Sequence, residues 1–365
     1  MEKNRNQKPI DELYHIAESI YSQLHSGDVP KMSIPLRTKS NISFMPRKGV
    51  WKYGRAKGAR TAKKIRGAYM LLRTMYMLDF IKEMMEQNKS STLREMYYIS
   101  EGWGQAKFGS QNESNHLAED IEIITGCMRE DFKLRPEEDG ARLIGNLTIE
   151  ETNRRGEKMK INCRDDVGDS GYGIPYNVEK EKLRLLNVDA DFAIAIETGG
   201  MFDRLVENGF DESSRCILIH LKGQPARSTR RFMKRLNEEM NVPLIVFTDG
   251  DPWSFRIFAS VAYGAIKTAH ISEYLATPTA VFLGITSSDI LNYELPTDKL
   301  SAQDIKALES ELTDPRFKDR FWKDEIELML KMKKKAEQQA LAKYGLDFAT
   351  DTYLPEKLSQ LGLMK

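Results

Sequence analysis

Apolar positions along this chain recur with two different spacings. Ile10, Leu13, Tyr14, Ile16, Ala17, Ile20, Tyr21 and Leu24 follow the 3.6-residue period, which predicts an amphipathic helix that stops near Gly27. An irregular stretch is expected to follow it. Tyr69, Leu71, Leu72, Met75, Met77, Leu78, Phe80, Ile81 and Met84 then predict a long, largely buried helix over residues 65–87. A second helix is expected through residues 92–99, capped by Ser90 or Ser91. A third is expected over 116–128, capped by Asn112 or Ser114. From residue 141 the pattern changes. Residues 141–149 read as a hairpin turning at Gly145-Asn146, and three helices with a hairpin suggest a winged helix. Continuous apolar runs at 192–196, 217–219, 244–247 and 280–283 read as short strands, that at 244–247 buried on both faces. Helical spacing follows at 201–207, 253–265 and 321–344, and the run Lys331–Lys335 reads as a solvated helix face.

Candidate chemistry sits where two of these strands end. Residues 244–247 run into Thr248-Asp249-Gly250-Asp251-Pro252. Residues i and i+2 of an extended tip point the same way, and converging oxygen ligands suit Mg²⁺. Open α/β sheets bind ligands beyond the carboxyl ends of their strands. The run at 192–196 ends likewise in Glu197-Thr198-Gly199-Gly200. If the two strands are neighbours in one parallel sheet, Glu197 joins Asp249 and Asp251 at one rim. Spacing alone equally allows the aspartates to be helix caps and Glu197 a turn residue. Between them lies the strand ending at His220, read as a residue of the core edge.

Charge adds a second feature. The 365 residues carry a formal net charge of only +1, so any nucleic-acid surface must come from local clustering. Between Val29 and Leu78 there is no acidic residue, while thirteen Lys and Arg stand among Trp51, Tyr53 and several glycines. Such a segment suits phosphate contacts that ignore base sequence; the alternative is a linker whose charge is answered by acidic neighbours. Arg227, Arg230, Arg231, Lys234 and Arg235 mark a further basic helix, which either meets a phosphate at its start or forms surface salt bridges. Three scattered cysteines fit no metal spacing and read as free thiols in a reducing compartment. No apolar run approaches the ~20 residues of a membrane span. The charged N-terminus is not that of a signal peptide, and no GxxxxGK[ST] phosphate loop appears.

Strand–Glu–Gly-Gly followed by strand–Asp-Gly-Asp-Pro resembles the Toprim fold of topoisomerases, some primases and certain nucleases. With Arg94-Glu95-Met96-Tyr97-Tyr98 ahead of it and Thr248-Asp-Gly-Asp-Pro-Trp253 within it, most of the chain resembles the A-subunit family of archaeal topoisomerase VI. That family is related to the eukaryotic transesterase that starts meiotic recombination. The C-terminal segments around residues 340–346 and 353–355 share the resemblance. It implies an α/β with α+β chain: an N-terminal helix and basic arm (1–68), a winged-helix (CAP-like) domain (69–151), and a Toprim domain with a mainly parallel sheet (152–365).

It further implies that Tyr98 is the nucleophile, with Tyr97 structural. Arg94, one helical turn before Tyr98, would favour the phenolate and stabilise charge on phosphate. Glu197, Asp249 and Asp251 would hold Mg²⁺. The expected partners are double-stranded DNA, a second copy of the chain in a homodimer, and an ATPase B subunit in an A2B2 heterotetramer. ATP would be bound by the B subunit rather than by this chain, and the complex is expected in the archaeal cytoplasm, with no membrane association. Many members carry glycine where this chain has Ser254, a departure expected to touch no ligand. Two other readings are a Toprim metal nuclease, which needs no tyrosine, and a DNA-binding scaffold with a vestigial acid site.

Overall fold

A computed structural model describes residues 7–135, 140–153 and 155–364. The chain forms two compact units. One comprises the described residues among 1–43, 52–139 and 269–271; the other comprises 44–51, 140–268 and 272–365.

The first unit is mainly helical. Helix α1 (Gln7–His25) buries Leu13, Ile16 and Ile20, as the period requires, and leaves Tyr14, Tyr21 and Leu24 exposed. The buried side chains join Leu71, Met77, Leu78, Ile81 and Met84 of α2 (Ile65–Glu86), Met96 of α3 (Leu93–Ile99) and Leu117, Ala118 and Ile121 of α4 (Gln111–Thr125) in one core. The caps differ from the expected ones. Thr92, not Ser90 or Ser91, caps α3, closing a capping box with Glu95 in which each side chain accepts the other's backbone N–H. Ser110, not Asn112 or Ser114, caps α4, because the helix starts a turn earlier than the apolar pattern suggested.

The stretch after α1 is not irregular. Strand β1 (Lys31–Pro35) pairs antiparallel with β2 (Lys57–Thr61), alternating Met32 and Ile34 inward. Part of its charge is answered internally: Arg37 binds Glu119 (2.8 Å) and Asp120, Arg60 binds Asp120, and Arg73 lies 3.3 Å from Glu113. Lys31, Lys39, Lys52, Arg55, Lys57, Lys63, Lys64 and Arg66 stay exposed, without an acidic partner among the described residues.

The second unit is built on a six-stranded sheet. In spatial order its strands are β6 (Tyr172–Gly173), β3 (Arg142–Ile144), β9 (Cys216–His220), β8 (Phe192–Ile196), β10 (Leu244–Phe247) and β11 (Val281–Gly284). The last four run parallel to one another; β3 is antiparallel to β9, and β6 to β3. Alternate residues of the parallel strands face two separate cores, which is why their sequences are apolar throughout. Ala193, Ala195, Ile217, Ile219 and Val246 pack against α6 (Arg227–Met240) and α7 (Pro252–Tyr263). Ile194, Ile196, Leu218, Ile245 and Phe247 pack against α5 (Gly199–Glu207) and the C-terminal Leu341, Tyr353 and Leu358.

The expected hairpin at 141–149 does not form. Arg142–Ile144 joins the large sheet, whereas β4 (Leu147–Thr152) pairs with β5 (Lys158–Asn162) and β7 (Leu183–Val188) in a separate antiparallel sheet. Gly145, at φ 148°, is the point of divergence: a Cβ there would lie 2.8 Å from the Ile217 backbone, so the chain is pressed against β9 and cannot fold back on itself. The helix expected over 321–344 also ends early. It spans Arg320–Met332 and stops at Lys333 in the left-handed conformation, so Lys334 and Lys335 form a strand and not a solvated helix face. No helix among the described residues is long and apolar enough to cross a membrane.

Candidate active site

Strands β8 and β10 are adjacent and parallel, with Ile196 opposite Phe247, so the residues that follow them emerge side by side. Glu197 and Asp249 are thereby brought together: Glu197 Oε2 accepts from the Asp249 N–H at 3.0 Å. Asp251, in extended conformation, caps α7, its Oδ1 accepting from the Ser254 N–H at 2.7 Å, with Pro252 at the first helical position. The capping role is therefore real, and it coexists with membership of the acid cluster.

Ser254 corrects an expectation. Its side chain is buried, and Oγ donates to Glu197 Oε2 at 2.6 Å, so the residue touches a candidate ligand directly. Gln338, fully buried, is a second participant that sequence reasoning did not single out. Its backbone N–H donates to Asp249 Oδ1 (2.7 Å) and its Nε2 to the Phe247 carbonyl (3.1 Å). Its Oε1 accepts from the Thr198 N–H (3.2 Å) and hydroxyl (2.8 Å). The hydroxyl of Ser254, inside the acidic motif, was a signal that could have been weighed. Nothing in the sequence marks Gln338, which lies 89 residues beyond Asp249.

Burial raises the Glu197 carboxyl above its usual range, with Asp251 adding to the shift. Asp249 is pushed up to about 7, first by burial and then by the charges of Glu197, Asp251 and Glu337, against the opposing Gln338 N–H. None of the three acids has a cationic partner within 4 Å among the described residues. As they stand, no three Asp, Glu, His or Cys side chains among those residues converge tightly enough to chelate an ion. One oxygen of each is tied to the protein, and the clustered negative charge has no counter-charge within 4 Å among the described residues. An all-oxygen set of this kind fits a hard divalent cation.

Trp253 follows the cluster, half-exposed, with its Nε1–H on Asp304 (2.8 Å) and the Arg256 guanidinium 5.0 Å from its ring. His220 is a core-edge residue as expected, stacked on Phe202 and pushed down to about 4 by burial. Helix α6 spends its charge internally. Arg235 is buried against the Leu183 carbonyl and Glu239, Lys234 donates to the Ala276 carbonyl at 2.8 Å, and Arg231 pairs with Glu179 at 3.0 Å. Salt bridges form as one reading expects, Lys234 with Glu238 and Arg235 with Glu239, but from buried rather than surface cations.

In the helical unit Tyr98 is 58 % exposed on α3, and its hydroxyl has no hydrogen-bond partner among the described residues. Tyr97 packs through its ring on the unit's core, 5.4 Å from the Tyr98 ring. The Arg94 guanidinium lies 6.0 Å from the Tyr98 ring centroid, over the ring itself.

A parallel sheet carrying glutamate at one strand end and Asp-x-Asp at the next defines a Toprim domain, a class that works with divalent metal. Residues 192–358 match the Toprim domain of the topoisomerase 6 A subunit and Spo11, residues 69–134 match the type IIB DNA topoisomerase family, and residues 137–189 match the all-beta domain of the DNA topoisomerase VI alpha subunit. The chain is 60% identical over 352 residues to the A subunit of type 2 DNA topoisomerase 6 from Archaeoglobus fulgidus, covering 96% of this chain and 97% of that one. It is 55% identical to the protein of the same name from Natronomonas pharaonis (97% and 96% covered), and 56% to that of Methanosarcina mazei (97% and 95%). The chain belongs to the topoisomerase VI A-subunit family, the catalytic subunits of type IIB DNA topoisomerases.

Proposed function

We propose that Tyr98 is the nucleophile that cuts double-stranded DNA, and that Glu197, Asp249 and Asp251 hold Mg²⁺. The observation that supports the metal reading is that Glu197, Asp249 and Asp251 lie near enough for their charges to raise the Glu197 and Asp249 carboxyls, with no cationic partner within 4 Å among the described residues. Each keeps one oxygen tied to the protein, and the remaining oxygens would turn to the ion. When bound, the metal offsets phosphate charge and positions the leaving oxygen. The deprotonated Tyr98 hydroxyl attacks phosphorus in line; the new O–P bond links the protein to the 5′ end, and the bond to the 3′ oxygen breaks. That oxygen takes a proton from solvent or from a carboxyl of the cluster. Arg94 supplies positive charge to the attacked phosphate. The link conserves the phosphodiester's bond energy, so religation needs no ATP at this step; ATP belongs to the B subunit.

The helical unit would present Tyr98 to the duplex, with the exposed cations of residues 31–66 on the phosphates. Two tyrosines are needed for a double-strand break, which a two-fold dimer of this chain within an A2B2 assembly would supply, each acting against the partner's metal site. The test is denaturing capture of DNA-linked protein after incubation with Mg²⁺, ATP and the B subunit. Tyr98→Phe should abolish the adduct while leaving DNA binding near native, and Tyr97→Phe should keep most of it. Adducts from Tyr98→Phe, lost in Tyr97→Phe, would refute the assignment.

A further inference from the structure

Glu197 and Asp249 follow different strands, and with Asp251 they form a partly buried group of like charges that repel one another. Sheet hydrogen bonds fix the strands only as far as Ile196 and Phe247. Beyond that point the Asp249 N–H (3.0 Å) and the Ser254 hydroxyl (2.6 Å) meet on Glu197 Oε2, and one further side chain bridges the neighbouring residues Thr198 and Phe247.

We propose that Gln338 is the positioning residue of the metal site, a clamp that sets the spacing between the two acidic strand ends. This rests on the reading of Glu197, Asp249 and Asp251 as the metal-binding set. One primary amide reaches both tips. Its oxygen takes two bonds from Thr198, next to Glu197, and its nitrogen gives one to Phe247, two residues before Asp249. The same residue's backbone N–H fixes Asp249 itself. An amide side chain is suited to this because it joins an acceptor and a donor in one rigid plane without adding charge. Gln338 is in turn held at its place: Gly250, between the two aspartates, exchanges backbone hydrogen bonds with Ala336 at 2.8 and 3.2 Å. The C-terminal segment is thereby stitched onto the acidic loop by backbone and side chain together. Groups that orient metal ligands from behind change affinity by about 10–100-fold when removed.

The test uses the full chain without DNA and Mn²⁺ as probe, with free ion counted by electron paramagnetic resonance. Gln338→Met keeps the volume and the backbone bond to Asp249 but removes the clamp. Mn²⁺ should bind about 10–100-fold more weakly than to the native chain, with Asp251→Ala losing the site. If the native chain and Asp251→Ala bind Mn²⁺ alike, the metal-site reading fails, and the clamp with it. If Asp251→Ala loses binding while Gln338→Met stays within about two-fold of native, the clamp alone is overturned. Should Gln338→Met not fold, as judged by its melting transition, Thr198→Val decides. It removes only the hydroxyl arm, so several-fold weaker binding supports the clamp and native binding overturns it.

Discussion

Replacing Asp249 by asparagine should make the metal-free protein more stable and the enzyme inactive. Asparagine keeps the shape and can still accept the Gln338 N–H, now 2.7 Å from Asp249 Oδ1, but it removes one of three neighbouring negative charges. Burial first, then Glu197, Asp251 and Glu337, raise this carboxyl from its ordinary 3.8 to about 7. At ~1.36 kcal/mol per pH unit that rise corresponds to roughly 4 kcal/mol of strain on the ionised form. Partial solvent access reduces it, and about 2–4 kcal/mol is expected. The sign follows from proton uptake. Between pH about 4 and about 7 the folded chain retains a proton that the unfolded chain has released, so native stability falls as pH rises through this window. Asp249→Asn escapes that loss. Its advantage over native should be absent below pH about 4, where the native carboxyl is also neutral, and full above about 7. Thermal melts in EDTA across roughly pH 4–9 give the stability difference, on the order of several degrees at about pH 8. Adduct capture with Mg²⁺ gives the activity. An asparagine variant that melts below native at about pH 8 in EDTA would refute the argument, because the carboxylate would then be a structural anchor.

Three further outcomes are expected. In dimers mixed from Tyr98→Phe and Asp251→Ala chains, one site should retain both working groups and nick one strand; no nick above either mutant alone would exclude sites shared between protomers. Lys63→Ala, Lys64→Ala and Arg66→Ala together should weaken duplex binding irrespective of sequence and reduce the slope of log K against log salt by up to about 2.7, at ~0.9 per lost phosphate contact. An unchanged slope by fluorescence anisotropy would remove these residues from the DNA interface. Asp304, 2 % exposed, has its carboxyl lowered to about 2; burial alone would raise it, but bonds from Ser301, Trp253 and Lys335 outweigh that. Its contribution, about 2 kcal/mol, is present above pH about 4 and lost as pH falls toward about 2, so the difference between native and Asp304→Asn in urea midpoint should shrink over that range.

The acid cluster was legible because its positions follow from local chemistry: an apolar run long enough to cross a sheet, then a polar tip. Adjacency of the two strands stood only as a condition in the sequence, and the pairing of Ile196 with Phe247 meets it. What could not be read was anything decided by a distant strand. Gly145-Asn146 has the composition of a tight hairpin turn, yet Leu143 and Ile144 find their partners in Ile219 and Leu218, more than seventy residues on. The basic stretch after α1 looked loose because its strand pairing spans 22 to 30 residues and its arginines answer acids on α4. Gln338 is invisible for the same reason. A glutamine in a polar segment carries no pattern until the chain returns it to the acidic loop.

The order in which the chain visits its two units limits how it can be taken apart. It changes unit at 43/44, 51/52, 139/140, 268/269 and 271/272. A fragment starting at Gly140 would carry the whole acid cluster but lack Trp51, 5 % exposed, whose backbone N–H donates to the Ser272 hydroxyl at 3.1 Å. It would also lack Phe44, which packs edge-on to Tyr263. The complementary fragment would carry Tyr98 but leave Glu122 without the His270 imidazole 3.4 Å away. Each half thus owns a short strap encoded inside the other. Scission at one linker gives two incomplete bodies, and separating the tyrosine half from the acid half calls for grafting the straps or co-expressing the pieces.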